Sequence, residues 1–522
     1  MAAFILGFWA RLCVLMDASF FFRGINQLID WIQRLFLGSV FFRFMALEAD
    51  EDVLQNNLAY RSISGFFGLF NTFGDKFFRV AVEKSVVGVV CRQFLQVLQA
   101  GLDGSFFYRF FKRSILECAG NETVFNMPYL LLLAIILTLP FIPTMLLAAV
   151  CVAAFVFFSL KLMVDPAFRA RVDLVGVLIV LYIAIGAVAA AMSFARASSI
   201  QIAMLTALFM LVYFLFVTLV DTRQKMNGVI FVLCTSALGA GLYGMFQNWS
   251  GLVDMTWIDA ELFEGTRLRV FSTFGNPNVY GKYLLLTIPV AFAGCFLARR
   301  WFMKAYYFGV GAILLLNLGM TYSRGCFLGM GLAVFVFILF MEKRLITFLS
   351  AGVFALPFIL PPTVIERTLS IVNFADTSTA YRISIYQASL RLVQHFWLSG
   401  IGQGEAAFNS AFPLFAFNDS YALHAHNLFL QVTIEKGVFG LIVFLGILLC
   451  FHKTLVPSIR KAATLQKDKV FMAALIAAAL GFLLQGVFDH VFFNYKIHLL
   501  FFILLAMGSA YARLCKGGEA DD

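Results

Sequence analysis

From about residue 127 onward the chain alternates between long apolar runs and short polar joints. Runs of roughly 20 apolar residues have the length of a helix that crosses a bilayer. The runs at 130–140 and 144–162 read as a tight hairpin, with Pro140 and Pro143 at its turn. Further spans are predicted at 174–194, 199–220, 228–247, 278–298, 305–322, 326–341, 345–364, 427–451, 470–488 and 497–514. The pattern therefore predicts an all-α polytopic membrane protein with about twelve transmembrane helices.

One span departs from the apolar rule at its start. The stretch from Tyr421 to Gly440 begins polar, with His424 and His426, and runs into an apolar segment that continues to Cys450. Read as a helix, Asn427, Gln431 and Glu435 fall at i, i+4 and i+8 and form one polar stripe. Polar groups are costly in hydrocarbon, so the stripe should face a bundle interior or a wet cavity. Gly437 and Gly440 supply a small surface for the close approach of another helix.

Residues 1–122 have a different pattern. They are rich in Phe but interrupted by charges every few residues, and a loose repeat recurs at Ser19–Arg23, Ser39–Arg43, Asp75–Arg79 and Ser105–Arg109. Apolar faces with interspersed Arg suit amphipathic helices on the cytoplasmic membrane surface, or a small helical unit that packs its own Phe residues. No chemistry is legible there. Arg11 breaks the first apolar run and no small-residue cleavage site follows, unlike a secretory signal. The expected division is this region, then a polytopic domain over 123–515.

Composition agrees with the span pattern. The chain has 522 residues, 61% hydrophobic and 13% charged, too apolar for a soluble protein of this size. The net charge of +10 does not call for nucleic acid, because Lys and Arg gather in short loops between spans. Nine cysteines are scattered without a Cys-x-x-Cys pair, so neither a disulfide framework nor a zinc site is expected.

The charged loops also orient the chain. Lys161, Arg169 and Arg171 mark the first, Arg223 and Lys225 the next, then Arg299, Arg300 and Lys304. Lys343 with Arg344, and the cluster from Lys453 to Lys469, complete the series. By the positive-inside rule these loops and both termini face the cytoplasm. The opposite face then carries segments from about Asn248 to Asn278 and over 366–425, the second leading into His426 before the tenth span. A loop of that length is usually functional.

Some cations remain on that outer face: Arg196, Arg267, Arg269, Arg324, Arg367, Arg382 and Arg391. Arg324 sits in Thr321-Tyr-Ser-Arg-Gly325, between two spans with almost no loop. Its forked guanidinium suits a diphosphate, and it equally suits an arginine snorkelling to the interface. Asn276-Pro-Asn278 opens a span, with Asn276 placed to cap the helix and Lys282 one turn further in. Arg382 and Tyr386 lie one turn apart in a helical stretch, followed by Gly400-Ile-Gly-Gln-Gly404, which reads as a turn. His424 and His426 could join Asp419, Glu405 or Asp489 around a metal. A single histidine can instead accept a proton from a hydroxyl, or simply hold the loop by hydrogen bonds.

Together these motifs resemble the bacterial O-antigen ligase family. The carriers are His426-Asn427 followed after nine residues by Gly437 and after two more by Gly440, the Asn276-Pro277-Asn278 span start, Ser323-Arg324-Gly325, and the outer loop with Arg382 and its Gly-x-Gly. The match covers about residues 125–515. The resemblance implies a helical, GT-C-like glycosyltransferase that needs no metal or other cofactor. It implies a glycan donor linked to undecaprenyl diphosphate and an acceptor hydroxyl on a glycan, lipid or protein. It implies work at the outer face of a bacterial cytoplasmic membrane, among membrane lipids and without nucleic acid. In that scheme His426 is the base, Asn427 and Glu435 orient the site, and Asp489 is a further candidate. Arg324 and Arg382, with Arg269, Lys282, Asn276 and Asn278, hold the donor, and Gly437 and Gly440 are structural. A transporter or flippase for the same lipid or another solute is the rival reading, and inverted repeats or paired broken helices would favour it.

The orientation has a direct test. Cysteines introduced at Ser378 and Asn418 should react with an impermeant thiol reagent outside intact spheroplasts, and one at Thr464 should not. Reversed labelling would put the motifs in the cytoplasm.

Overall fold

The computed structural model describes residues 58–73, 126–252, 269–340, 377–416, 422–461 and 464–517, apart from Pro166 and a few isolated earlier positions. The described residues are helical, joined by turns, with no strand among them. α1 spans Leu58–Phe73. The membrane domain begins with α2 (Met127–Thr138) and α3 (Thr144–Val164), joined by the expected proline turn. α4 (Leu174–Ala191), α5 (Arg196–Leu219) and α6 (Arg223–Ser250) follow. Next come α7 (Pro277–Leu297), α8 (Trp301–Met320) and α9 (Arg324–Phe340). α10 (Thr377–Phe396) and α11 (Glu405–Ala411) belong to the long loop. α12 (Leu428–Arg460), α13 (Gln466–Phe488) and α14 (Tyr495–Gly517) close the domain.

Among the described residues nine helices are long and apolar enough to cross a membrane, and α2 and α9 are shorter apolar helices. The span expected at 345–364 lies outside the described residues, as do the four Phe-Arg repeats apart from Ser39. α13 and α14 form the centre of the bundle, with almost all their side chains buried. α3 and α8 turn large apolar residues outward, among them Val152, Phe157, Phe308 and Leu316, as lipid-facing helices do. α1 lies against the bundle through Phe67, whose ring meets those of Phe158 and Phe214, while Leu58, Phe66 and Leu69 are exposed.

Close helix contact depends on small residues. α9 crosses α13 where Gly329 faces Gly481, and a Cβ at Gly329 would come within 2.5 Å of the Gly481 carbonyl oxygen. Gly325, one turn earlier, leaves room for Gln485. Without a hydrophobic driving force between helices, such close backbone approach is what holds membrane helices together. At the other end of the bundle Arg223 forms a two-pronged pair with Asp468, which also accepts from the Tyr511 hydroxyl.

α12 is not a continuous helix. Gly437 has φ 68° and ψ −175°, a conformation that interrupts it one third of the way along. The segment from Trp397 to Gly404 lies against the break and takes over its hydrogen bonds. Ile401 N donates to Ile434 O at 2.8 Å, Gly402 N to Glu435 O at 3.1 Å, and Val438 N to Trp397 O at 2.7 Å. The expectation that Gly437 receives a neighbouring helix is therefore corrected: the Leu398 carbonyl comes against it. Gly440 is bare because the Lys436 side chain occupies the space beside it. The Gly400–Gly404 run is the expected turn, with positive φ at Gly400, Gly402 and Gly404. Its purpose is to bring backbone N–H groups against α12.

Gly437→Ala should therefore be severe. A side chain pays about 1–3 kcal/mol for such a backbone conformation, before the contact with the Leu398 carbonyl is counted. Gly446→Ala on the same helix meets only Leu178 at ordinary van der Waals distance and should be mild. Thermal unfolding of the detergent-solubilised protein compares the two, and equal losses would remove the break from its structural role.

Candidate functional site

The site is built where three helix starts meet the end of α13. Asn427 caps α12: its Oδ1 accepts from Leu430 N at 2.9 Å, and its Nδ2 donates to Val487 O at 2.9 Å. This fixes the start of α12 against the last turn of α13, so His426 and Asp489 become neighbours. Asn276 caps α7 in the same way, accepting from Asn278 N and Val279 N. That helix then carries Lys282 inward to the same point.

The three side chains form a chain of charge. Lys282 Nζ lies 2.7 Å from Asp489 Oδ2, and His426 Nδ1 lies 3.2 Å from Asp489 Oδ1. Lys282 is only 3% exposed, so its ammonium is held by this pair and by the His490 carbonyl at 3.4 Å. Burial alone would raise the Asp489 pKa, but the Lys282 charge and the His426 hydrogen bond hold it well below the usual carboxylate range. An ionised Asp489 accepts from His426 Nδ1–H. The other ring nitrogen, Nε2, is then left as the hydrogen-bond acceptor. His426 remains partly exposed while both supporting residues are covered.

His426 is also strained. Its φ is 47°, in the left-handed region, and among the described residues two other non-glycine residues share that state: Ser272 at 51° and Tyr322 at 49°. Each lies in or next to one of the three motif loops. Such strain persists only where surrounding bonds over-determine it. At His426, Tyr386 on α10 donates its hydroxyl proton to the His426 carbonyl at 2.9 Å. The His426 N–H donates to His424 Nδ1 at 3.2 Å. Burial and the neighbouring His426 push the His424 pKa down to about 3, so His424 stays neutral and keeps that acceptor.

The other expected residues fall into two groups. Arg382 is near enough for its charge to act on His424 and Tyr386. Arg324 opens α9 beside Gly325, which lies against Gln485, one turn before Asp489. Arg269 braces two motifs, with Nε donating to Thr321 O at 2.9 Å and Nη2 to Asn278 Oδ1 at 3.0 Å. Lys282 faces Asp489, which sequence reading did not foresee, since nothing in the chain pairs residues so far apart. Glu435 stands two turns below His426, bonded to Gln431 Nε2 at 2.9 Å and Gly404 N at 3.3 Å. It extends the polar stripe inward and does not touch His426. Tyr386 and His490 were missed; the one legible signal was Tyr386 falling a turn from Arg382.

His424, His426 and Asp489 could offer a metal ion three ligand atoms within 4.8 Å of one another. The set fits a cation poorly. Asp489 already holds an ammonium at 2.7 Å, and His424 Nδ1 accepts the His426 N–H.

Fold and site define a polytopic membrane protein with a carboxylate-supported histidine at the mouth of a broken helix. Residues 309–445 match the family model described as O-antigen ligase, so this segment is similar to that family. No curated protein matches the chain. The matched segment runs from α8 to the middle of α12 and includes Arg324, Arg382, His426, Gly437 and Gly440, whereas Lys282 and Asp489 lie outside it.

The charge chain predicts distinct outcomes for its members. Lys282→Met leaves a buried carboxylate without its partner and should cost about 3–5 kcal/mol in unfolding. Adding Asp489→Asn should recover much of that stability. Asp489→Asn alone leaves the Lys282 ammonium buried without its partner, so it too should lower stability, and it should lose the His426 tautomer and with it about 10²–10⁴ in turnover. Equal stability of Lys282→Met and the double variant would contradict the pairing.

Proposed function

We propose that the chain is a membrane glycosyltransferase. It transfers or polymerises a glycan from an undecaprenyl-diphosphate-linked donor to an acceptor hydroxyl, in surface polysaccharide synthesis. The observation that carries this reading is the His426–Asp489–Lys282 arrangement, within hydrogen-bonding distance throughout. The match of residues 309–445 to the O-antigen ligase family supports the substrate class.

His426 Nε2 takes the proton of the acceptor hydroxyl. The acceptor oxygen forms a bond to the anomeric carbon of the lipid-linked sugar. The bond from that carbon to the phosphate oxygen breaks, and its electron pair leaves with the diphosphate. Arg324 and Arg382 stabilise the departing charge, since guanidinium keeps its proton and presents forked donors. Arg269, Asn276 and Asn278 act on the donor site through the loops they brace. Lys282 acts through Asp489. The diphosphate is a good leaving group, so no acid and no metal are required. The reaction lies at the extracytoplasmic face of the cytoplasmic membrane, by the alternation of charged loops.

The broken α12 also bears on the rival transporter reading, because broken helices recur in transporters. Here the break is filled by protein backbone, and the carboxylate-paired His426 sits at the helix mouth, which favours catalysis.

His426→Ala should insert and fold yet transfer almost no glycan, a loss of about 10²–10⁴ in rate. Donor binding should be kept. Arg324→Lys should weaken use of the lipid diphosphate, and Arg324→Ala should weaken it further. The assay is transfer from purified lipid-linked donor, with and without EDTA. Near-normal turnover by His426→Ala would end the general-base reading, and inhibition by EDTA would restore the metal reading of His424, His426 and Asp489.

A further inference from the structure

We infer that a cavity on the inner side of His424 seats a sugar ring of the acceptor, a neutral polyhydroxyl ligand. The inference rests on the reading of His426 as the base for the acceptor hydroxyl. The cavity has a volume of about 320 Å³, at the lower end for small-molecule sites. It reaches His424, whose ring centre is 4.2 Å from that of His426. From there it runs into the membrane domain along the polar stripe of α12.

The lining selects the ligand chemistry. Glu405, Glu435, Lys436, Gln403, His490 and His498 contribute to the wall. The carboxylates accept hydrogen bonds, the ammonium donates them, and the amide does both. A ligand that satisfies all of them must itself donate and accept, as hydroxyl groups do. Two carboxylates against one ammonium disfavour a diphosphate, and no arginine lines the cavity among the described residues. Tyr182, Phe492, Phe493 and Tyr495 add aromatic surface for the C–H faces of a pyranose ring.

Two buried imidazoles, His490 and His498, stand in the wall, only 8% and 4% exposed. Lys436 is 5% exposed within a membrane helix, 3.9 Å from Glu435 and over the Tyr182 ring at 4.5 Å. Gly440 and Gly186 are bare where its side chain passes, so the backbone makes way for this charge. An ionisable residue so placed in a membrane span marks a ligand path.

The test uses the full-length protein in detergent, with glucose, galactose and N-acetylglucosamine as probes and inorganic pyrophosphate as the anionic control. At least one neutral sugar should raise the thermal unfolding midpoint with a saturable dose dependence. His498→Leu should weaken that apparent affinity about ten-fold, the loss of one ligand hydrogen bond. Glu435→Gln keeps the acceptor for Gly404 N and Gln431, so it tests the carboxylate should His498→Leu fail to fold. His426→Ala should still bind the sugar with a saturable dose dependence, because the cavity wall itself is unchanged. No stabilisation by any of the three sugars overturns the assignment. So does stabilisation that ignores both cavity substitutions, or a pyrophosphate effect that depends on them. Full glycan transfer by His426→Ala would instead remove the base reading and leave the sugar-binding result standing.

Discussion

A helix opened inside a membrane must find partners for its freed backbone groups, because hydrocarbon offers none. In α12 the opening is at Gly437, and the partners are supplied by the segment from Trp397 to Gly404. Three main-chain bonds tie this loop segment to the helix. The rest of the site follows from that constraint. The loop cannot leave without exposing unpaired carbonyls, so α10, which precedes it, is held over the mouth of α12. Tyr386 on α10 is thereby brought to the His426 carbonyl. The same insertion sets Gly404 N against Glu435 and closes one wall of the cavity below His424.

The charges at the site are supported rather than free. Lys282 is buried on α7 and neutralises Asp489, and Asp489 orients His426. Burying a charge is tolerable only when it is paired and hydrogen-bonded. The pair therefore stabilises less than its distance suggests, and its value lies in fixing one tautomer of one ring. The left-handed φ of His426 belongs to the same design. A residue in that conformation turns its side chain away from the direction a regular helix start would give it. Two hydrogen bonds from opposite sides, to Tyr386 and His424, keep it there. The ring is thus placed before any substrate arrives, which is what electrostatic preorganisation requires.

Much of the fold was legible because one rule dominates a membrane chain. Runs such as 174–194 and 470–488 can do little else than form apolar helices, and they do. The caps at Asn276 and the proline turn at 140–143 were equally local and equally readable. The site was legible in its residue types and not in its pairings. Lys282 and Asp489 are separated by more than two hundred positions, and periodicity carries no information about which helix ends meet. The glycines were read as helix-packing positions because that is their commonest use in membranes. Gly329 and Gly481 are used so, but Gly437 is used for its φ and Gly440 for the volume of Lys436. Those two uses depend on a loop and a side chain whose positions no local pattern fixes.

The division between matched and unmatched segments has a physical sense. Residues 309–445 hold His426, Arg324, Arg382 and the broken helix, the parts that meet the lipid-linked glycan in the function proposed above. Lys282 and Asp489, outside that segment, do not need to touch substrate at all. They hold a negative charge at one nitrogen of one imidazole, with the lysine almost fully covered beneath it. The demands on the two groups differ accordingly. Groups that meet the donor must suit a diphosphate and a sugar, whereas the supporting pair must suit only each other and the ring above them. The cavity wall lies between these extremes: Glu435 belongs to the broken helix, while His490 and His498 follow Asp489 on the far side of α13. A sugar seated there would be gripped from both sides, and its hydroxyl nearest His424 would lie beside an imidazole that the Lys282–Asp489 pair had already oriented.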